Sequence, residues 1–168
     1  MDPLHERARR IRLLVLDVDG VLTDGRLYFG ASGEELKVFH VRDGAGLVAL
    51  QRAGITVAIV SGRSSPAVER RAAELGIRLV RQGAADKAHE LEALAAKLGT
   101  TREEMACVGD DTPDLPMMRR TALAIAVADA HANVIEAADW VTTQKGGRGA
   151  VREVCDLLLH ARQAPVSA

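Results

Sequence analysis

Apolar residues in this chain come in two rhythms that take turns. The run IRLLVLDV (11–18) is nearly unbroken branched aliphatics, the pattern of a strand covered on both faces. In GAGLVALQRAG (44–54) the apolar positions fall at helical spacing, with Leu47, Leu50 and Ala53 on one side and Gly54 as a stop. ITVAIVSG (55–62) returns to the strand pattern. Ser65 then offers an N-cap, and Pro66 a first helical residue, for a helix running to Gly76. A short strand in IRLVRQG (77–83) precedes a helix in DKAHELEALAAKLG (86–99), whose Leu91, Leu94 and Leu98 share a face before Gly99. MACVGDD (105–111) predicts a strand that ends in acids. TALAIAVAD (121–129) and ADWVTT (138–143) predict two more, and GAVREVCDLLLHAR (149–162) an amphipathic helix that closes the chain.

Alternating strands and helices predict an α/β, Rossmann-like, three-layer fold: a central parallel sheet, right-handed crossovers and helices on both faces. One segment breaks the rhythm. GRLYFGASGEELKVFHVRDG has two extended runs around a Gly/Ser-rich turn, which predicts a projecting β-hairpin at about 25–43. No repeat, low-complexity tract or linker interrupts the chain, so a single domain over 1–168 is expected, with a tail at about 160–168 expected to lack order.

Charge and composition narrow the function. With 22 basic and 23 acidic residues the net charge is −1, which carries no footprint for a polyanion, so neither nucleic acid nor membrane is an expected partner. No apolar run approaches the roughly 20 residues of a membrane span. The start MDPLHERARRIR lacks the apolar stretch of a signal peptide, which predicts a cytoplasmic protein. Cys107 and Cys155 are too few for a disulfide framework and read as small buried hydrophobes. His5, His89 and His160 read as surface residues; His131 has no assigned role.

In a parallel sheet of this kind the ligand lies outside the carboxyl ends of the strands. The first strand ends at Asp17 and Asp19, and the second at Ser61, Gly62 and Arg63. Lys87 opens the helix after the third, and the fourth ends in GDDTPD with Asp110, Asp111 and Asp114. Each feature alone is weak evidence; their order along one sheet edge is what points to a site.

DxDG, a strand-terminal Ser, a Lys at a helix start and GDDxxD, in that order, resemble the haloacid dehalogenase superfamily of phosphoryl-transfer enzymes. DVDGVLTDG, FHVRDGAG, SGR, VGDD, AVADAH and GGRGAVREVCDLLL are similar, more narrowly, to its family of phosphatases acting on 3-deoxy-D-manno-octulosonate 8-phosphate. The resemblance spans about 13–159. It implies a capless member of the superfamily, dependence on Mg²⁺, a part in making lipopolysaccharide sugar, and a homotetramer whose subunits cover each other's sites.

Residue chemistry fits this assignment. A carboxylate nucleophile splits phosphate monoester hydrolysis into two easier steps through an acyl phosphate, the role expected of Asp17. Residues i and i+2 of a strand share a side, so Asp19 can serve as general acid and then general base beside it. Gly20 lets the backbone turn tightly there. The expected Mg²⁺ ligands are Asp17 and Asp110, with the backbone carbonyl of Asp19 as the resemblance implies. Asp111 and Asp114 are expected to hold ligand waters or Lys87, or else merely to cap their loop. Lys87 and Ser61 are expected at the phosphate, Ser61 supported by the N–H of Gly62. Arginine suits a sugar carboxylate, and the resemblance implies Arg63 and Arg71 for it, with His40, Val41, Arg42, Asp43, Gly44 and Val48 beside the substrate. A lid in trans is expected from TTQKGGRGAVRE (142–153), with Gly146 and Gly147 entering the mouth and Arg148 meeting substrate anion. Other readings are a sister phosphatase of nonulosonate (sialic-type acid) 9-phosphate, a phospho-accepting signalling receiver and a non-catalytic scaffold. Arg63 in place of an acid after the motif glycine speaks against the first, and Asp19 against the second. The intact set Asp17, Asp19, Lys87 and Asp110 speaks against the third.

Overall fold

The computed structural model describes residues 3–163. A helix, α1 (Pro3–Arg10), leads into the first strand, β1 (Leu13–Leu16), whose four residues are all buried. A small hairpin follows, β2 (Tyr28–Phe29) and β3 (Glu35–Leu36), then α2 (Val41–Arg52) and β4 (Thr56–Val60). Next come α3 (Pro66–Glu74), β5 (Leu79–Arg81), α4 (Lys87–Leu98) and β6 (Met105–Gly109). The chain ends with α5 (Leu115–Met118), β7 (Leu123–Ala126), α6 (Ala132–Ala137), β8 (Trp140–Val141) and α7 (Ala150–Gln163).

Six strands form one parallel sheet in the order β5-β4-β1-β6-β7-β8. Side chains that alternate along β1 feed two cores, one on each face. Leu14 and Leu16 pack with Leu47, Leu50, Val68, Ala72, Val154 and Leu158 of α2, α3 and α7. Leu13 and Val15 pack with Leu91, Leu94, Met117 and Val134 of α4, α5 and α6. This is the three-layer architecture expected, and burial on both faces is why the strands read as continuous apolar runs. After β1 the chain builds outward through β4 and β5, then crosses to β6 on the other flank. The carboxyl ends of β1 and β6 therefore flank the switch point, where such sheets bind ligands.

Ser65 caps α3, its side chain accepting from the N–H of Ala67, and Asp86 caps α4 through His89. Other boundaries moved. His40 Nδ1 accepts from the Arg42 N–H at 3.2 Å, so α2 starts at Val41 and HVRDG is its first turn rather than a loop. His131 caps α6 in the same way, through Asn133. The helix α1, hidden in a charged start, is held at Arg7, which reaches Asp139 at 2.6 Å and the carbonyl of Ala122. At the other end α7 runs to Gln163, into the stretch expected to lack order; 164–168 lies outside the described residues. The hairpin pairs Tyr28 with Leu36 and Phe29 with Glu35, apart from the main sheet.

Leu14, wholly buried at the centre of the sheet, tests this packing. Leu14→Ala should cost about 2–5 kcal/mol of stability, read as a lower midpoint in urea unfolding. A loss below about 1 kcal/mol would mean that β1 is not the centre of the core.

Candidate active site

Beyond β1 the chain winds into a tight loop around one carbonyl. The N–H groups of Val21, Leu22 and Thr23 all donate to Val18 O, and Thr23 Oγ1 accepts from the N–H groups of Gly20 and Gly25. Gly20 has φ +85°, and a Cβ there would lie 1.9 Å from Asp110 Oδ2, so no larger residue fits. The loop thus presses the end of β1 against the end of β6. Asp17 is held by the Val18 N–H, which donates to its Oδ1 at 2.7 Å.

Behind the loop a lysine joins two acids. Lys87 Nζ, at the first residue of α4, lies 3.0 Å from Asp17 Oδ1 and 2.6 Å from Asp114 Oδ1. Asp114 is fully buried, and its other oxygen accepts from the N–H groups of Asp110 and Asp111. Asp114 thereby serves as the holder of Lys87. Asp111 is exposed and takes the capping role, accepting from the Thr112 N–H at 2.7 Å.

Carboxylate oxygens of Asp17, Asp110 and Asp114 come within 4.8 Å of one another with one lysine among them, so negative charge is in excess. Burial pushes the Asp17 carboxyl up to about 6, with repulsion from Asp114 adding to it and Lys87 opposing it. Burial and repulsion from Asp17 and Asp114 push Asp110 up to about 8. For Lys87 burial works against the charge, but Asp17 and Asp114 outweigh it and hold the ammonium above its usual value. Both oxygens of Asp114 are engaged, which leaves Asp17 and Asp110 free to hold a cation that would relieve their repulsion. Oxygen donors of this kind, on carboxylates at a strand end, suit Mg²⁺.

The cleft in front of these groups is lined by Asp17, Asp19, Ser61, Gly62, Arg63 and Lys87, together with Asp110 and Asp114. Sequence reasoning missed two residues, Glu35 and Lys37, that contact its Arg63 and Asp19. Lys37, just past β3, puts Nζ 2.5 Å from Asp19 Oδ1 and 2.8 Å from Glu35 Oε1. Burial works against the Lys37 charge, but hydrogen bonds and attraction from Asp19 and Glu35 keep its pKa above the ordinary value. Arg63 reaches Asp19 Oδ2 at 3.7 Å and Glu35 Oε2 at 2.5 Å. The signal was present as the spacing of Glu35 and Lys37, which places both on one side of an extended run with Leu36 on the other.

Several expected residues lie elsewhere. His40, Asp43, Gly44 and Arg71 line a separate small recess with Leu22 and Phe39. Asp43 is buried there and accepts from the Arg152 N–H at 2.9 Å, which ties the start of α2 to the start of α7. Arg71 lies 6.0 Å over the Phe39 ring, Val41 faces solvent, and Val48 is half-buried on α2. Arg42 lines a groove with Arg148 and Arg152. The expected lid is docked on its own chain. Gly147 N–H donates to Val21 O at 2.9 Å, Gly146 N–H to Asp129, and Arg148 reaches Asp24 at 3.7 Å. A Cβ on Gly146 would fall 1.7 Å from Gly20 O, so these glycines serve close packing against the β1 loop rather than mobility.

A family model described as haloacid dehalogenase-like hydrolase matches residues 78–154, the part holding Lys87 and Asp110. The 3-deoxy-D-manno-octulosonate 8-phosphate phosphatase of Escherichia coli (strain K12) is 53% identical over 156 residues, covering 93% of this chain and 83% of that protein. The crystal structure of the phosphatase of that name from Yersinia pestis matches with TM-score 0.94 at 50% identity, over 96% of this chain and 87% of that one. The structure of the Moraxella catarrhalis phosphatase, in complex with magnesium ion, phosphate ion and a KDO molecule, matches with TM-score 0.94 at 44% identity, over 96% of this chain and 93% of that one.

The raised carboxyls make a pH prediction. In the unfolded chain Asp17 and Asp110 titrate near 3.8, and in the folded chain at about 6 and about 8. The folded state therefore binds more protons across that window, so their contribution is full below about pH 4 and is lost as pH rises toward 8. Metal-free protein should melt lower at pH 8 than at pH 5, and Mg²⁺ should raise the melting temperature more at pH 8. A Mg²⁺-induced shift independent of pH, measured by calorimetry, would contradict the assignment.

Proposed function

The chain belongs to the 3-deoxy-D-manno-octulosonate 8-phosphate phosphatase family of haloacid dehalogenase-like hydrolases, and we propose that it hydrolyses that sugar phosphate to the free sugar acid and inorganic phosphate, in lipopolysaccharide biosynthesis. The observation that carries the reading is Asp17 held by Lys87, with Asp19 on the same cleft and Asp110 facing it. The cofactor is Mg²⁺; Asp17, Asp110 and the Asp19 carbonyl would hold it, and it would offset charge on the phosphoryl group.

An oxygen of Asp17 attacks phosphorus and forms an aspartyl phosphate as the bond to the sugar oxygen breaks. Asp19 gives its proton to that leaving oxygen. It then takes a proton from the water that attacks the aspartyl phosphate, which restores Asp17 and frees phosphate. Lys87, the Ser61 hydroxyl and the Gly62 N–H offset the charge on the phosphoryl oxygens. Arg63, at the cleft mouth, is suited to the sugar carboxylate, for which it exchanges Glu35.

The reading extends to assembly and place. Leu27, Tyr28, Phe29, Leu36, Val38 and Val41 leave an exposed apolar run along the hairpin. A two-strand hairpin is marginal alone, and hairpins of four copies packed together would cover this run, giving a homotetramer of single-domain subunits. Two unpaired, buried cysteines suit a cytoplasmic protein. Among the described residues no helix is long and apolar enough to cross a membrane.

Phosphate release should be fastest from the eight-carbon substrate, slower from a nonulosonate 9-phosphate, and lost on chelation of Mg²⁺; preference for the nine-carbon ester would overturn the substrate assignment. Asp17→Asn should abolish turnover, because an amide cannot accept the phosphoryl group; near-normal rates would rule out the covalent route. Arg63→Ala should cost about 2–5 kcal/mol in kcat/KM on the sugar acid and much less on 4-nitrophenyl phosphate. Equal losses would move Arg63 to the phosphate.

A further inference from the structure

The hairpin carries a charged face whose partner is a single catalytic carboxylate. Asp19, Lys37, Glu35 and Arg63 form a closed ring of alternating charge, with contacts of 2.5, 2.8, 2.5 and 3.7 Å. Its two cations differ in kind. The Arg63 side chain is 47% exposed and can swing to a ligand, whereas that of Lys37 is 3% exposed. Burying an ammonium is costly, and a hairpin that needed only packing would be better served by an apolar side chain there. Lys37 has instead two carboxylates to satisfy it, one of them the acid beside the nucleophile. We propose that Lys37, braced by Glu35, is a positioning residue that fixes the Asp19 side chain for proton transfer to and from the reacting oxygens.

This inference rests on the phosphatase reading and adds the group that orients its acid. The contact from Lys37 falls on Asp19 Oδ1, so Oδ2, on the Arg63 side, is left to carry the proton. As the phosphorus–oxygen bond breaks, its electron pair stays on the sugar oxygen, which takes the proton from Oδ2. The resulting carboxylate remains against the Lys37 ammonium. In the second half the same oxygen accepts a proton from the attacking water, and Asp19 returns to its acid form. Proton transfer is sensitive to donor geometry, and an acid free to rotate among rotamers forfeits much of its effect. The hairpin also supplies the reach: Lys37 contacts Asp19 and Glu35 contacts Arg63, while Leu36 between them is exposed.

The test separates leaving-group protonation from substrate binding by using aryl esters that carry no carboxylate. Phenyl phosphate has a poor leaving group that needs the proton; 4-nitrophenyl phosphate has a good one that scarcely does. Lys37→Met should lower kcat/KM about 10–100-fold on phenyl phosphate and only about threefold or less on 4-nitrophenyl phosphate. Lys37→Arg should recover part of the loss on the poor ester. Glu35→Gln, which leaves Lys37 in place but unbraced, should shift the two esters in the same direction to a smaller extent, and it serves if Lys37→Met fails to fold. Equal losses on both esters in either folded variant would overturn the positioning role while leaving the phosphatase reading intact. Turnover of no phosphate ester by the unmodified protein would overturn both.

Discussion

The Lys87 ammonium lies between two carboxylates it cannot fully neutralise, and the site is organised around that imbalance. Lysine is there because Asp17 is buried at a strand end, where an unpaired charge would be prohibitive. Asp114 in turn holds the lysine, and its second oxygen fixes the backbone of the GDD turn. That leaves both carboxyls pushed up by burial and by repulsion, Asp17 from Asp114 and Asp110 from Asp17 and Asp114, an excess of negative charge that a cation would relieve. One ammonium thus links helix α4, the end of β1 and the end of β6.

The fold delivers these groups with little machinery. Parallel order puts every strand's carboxyl end on one edge, and the switch between β1 and β6 opens the crevice where the acids meet. Beside that crevice stands a hairpin of two-residue strands, from which Lys37 reaches Asp19. Its turn is closed by the Gly30 N–H donating to Glu34 O and the Gly33 N–H donating to Gly30 O, and it carries both the Glu35–Lys37 pair and the exposed apolar Phe29 and Leu36.

Much of this was legible in the sequence because it depends on local pattern. Unbroken aliphatic runs gave away a sheet covered on both sides, and Ser65–Pro66 marked a helix start. Strand ends located Asp17, Ser61 and Asp110 for the same reason. What escaped depends on contacts across the chain. The spacing of Glu35 and Lys37 was visible, but not that a segment reading as a plain hairpin folds back onto Asp19. Asp43 was expected beside the substrate; its bond from the Arg152 N–H, which ties together two helices far apart in sequence, left no local signal. The glycines at 146 and 147 were expected to enter the mouth of a neighbour's site; within the chain they bond to Val21 and Asp129 and pack against the β1 loop with no space left.

That last contact has a bearing on how the protein is made. The loop carrying Asp17 and Asp19 precedes Gly146 and Gly147, the backbone that backs it, by well over a hundred residues. Its sheet neighbour β6 is likewise almost ninety residues downstream. On the ribosome, where domains emerge from the amino terminus onward, the catalytic loop must wait, unsupported, for most of the chain. The residues that carry the chemistry are thus made well before the backbone that fixes them.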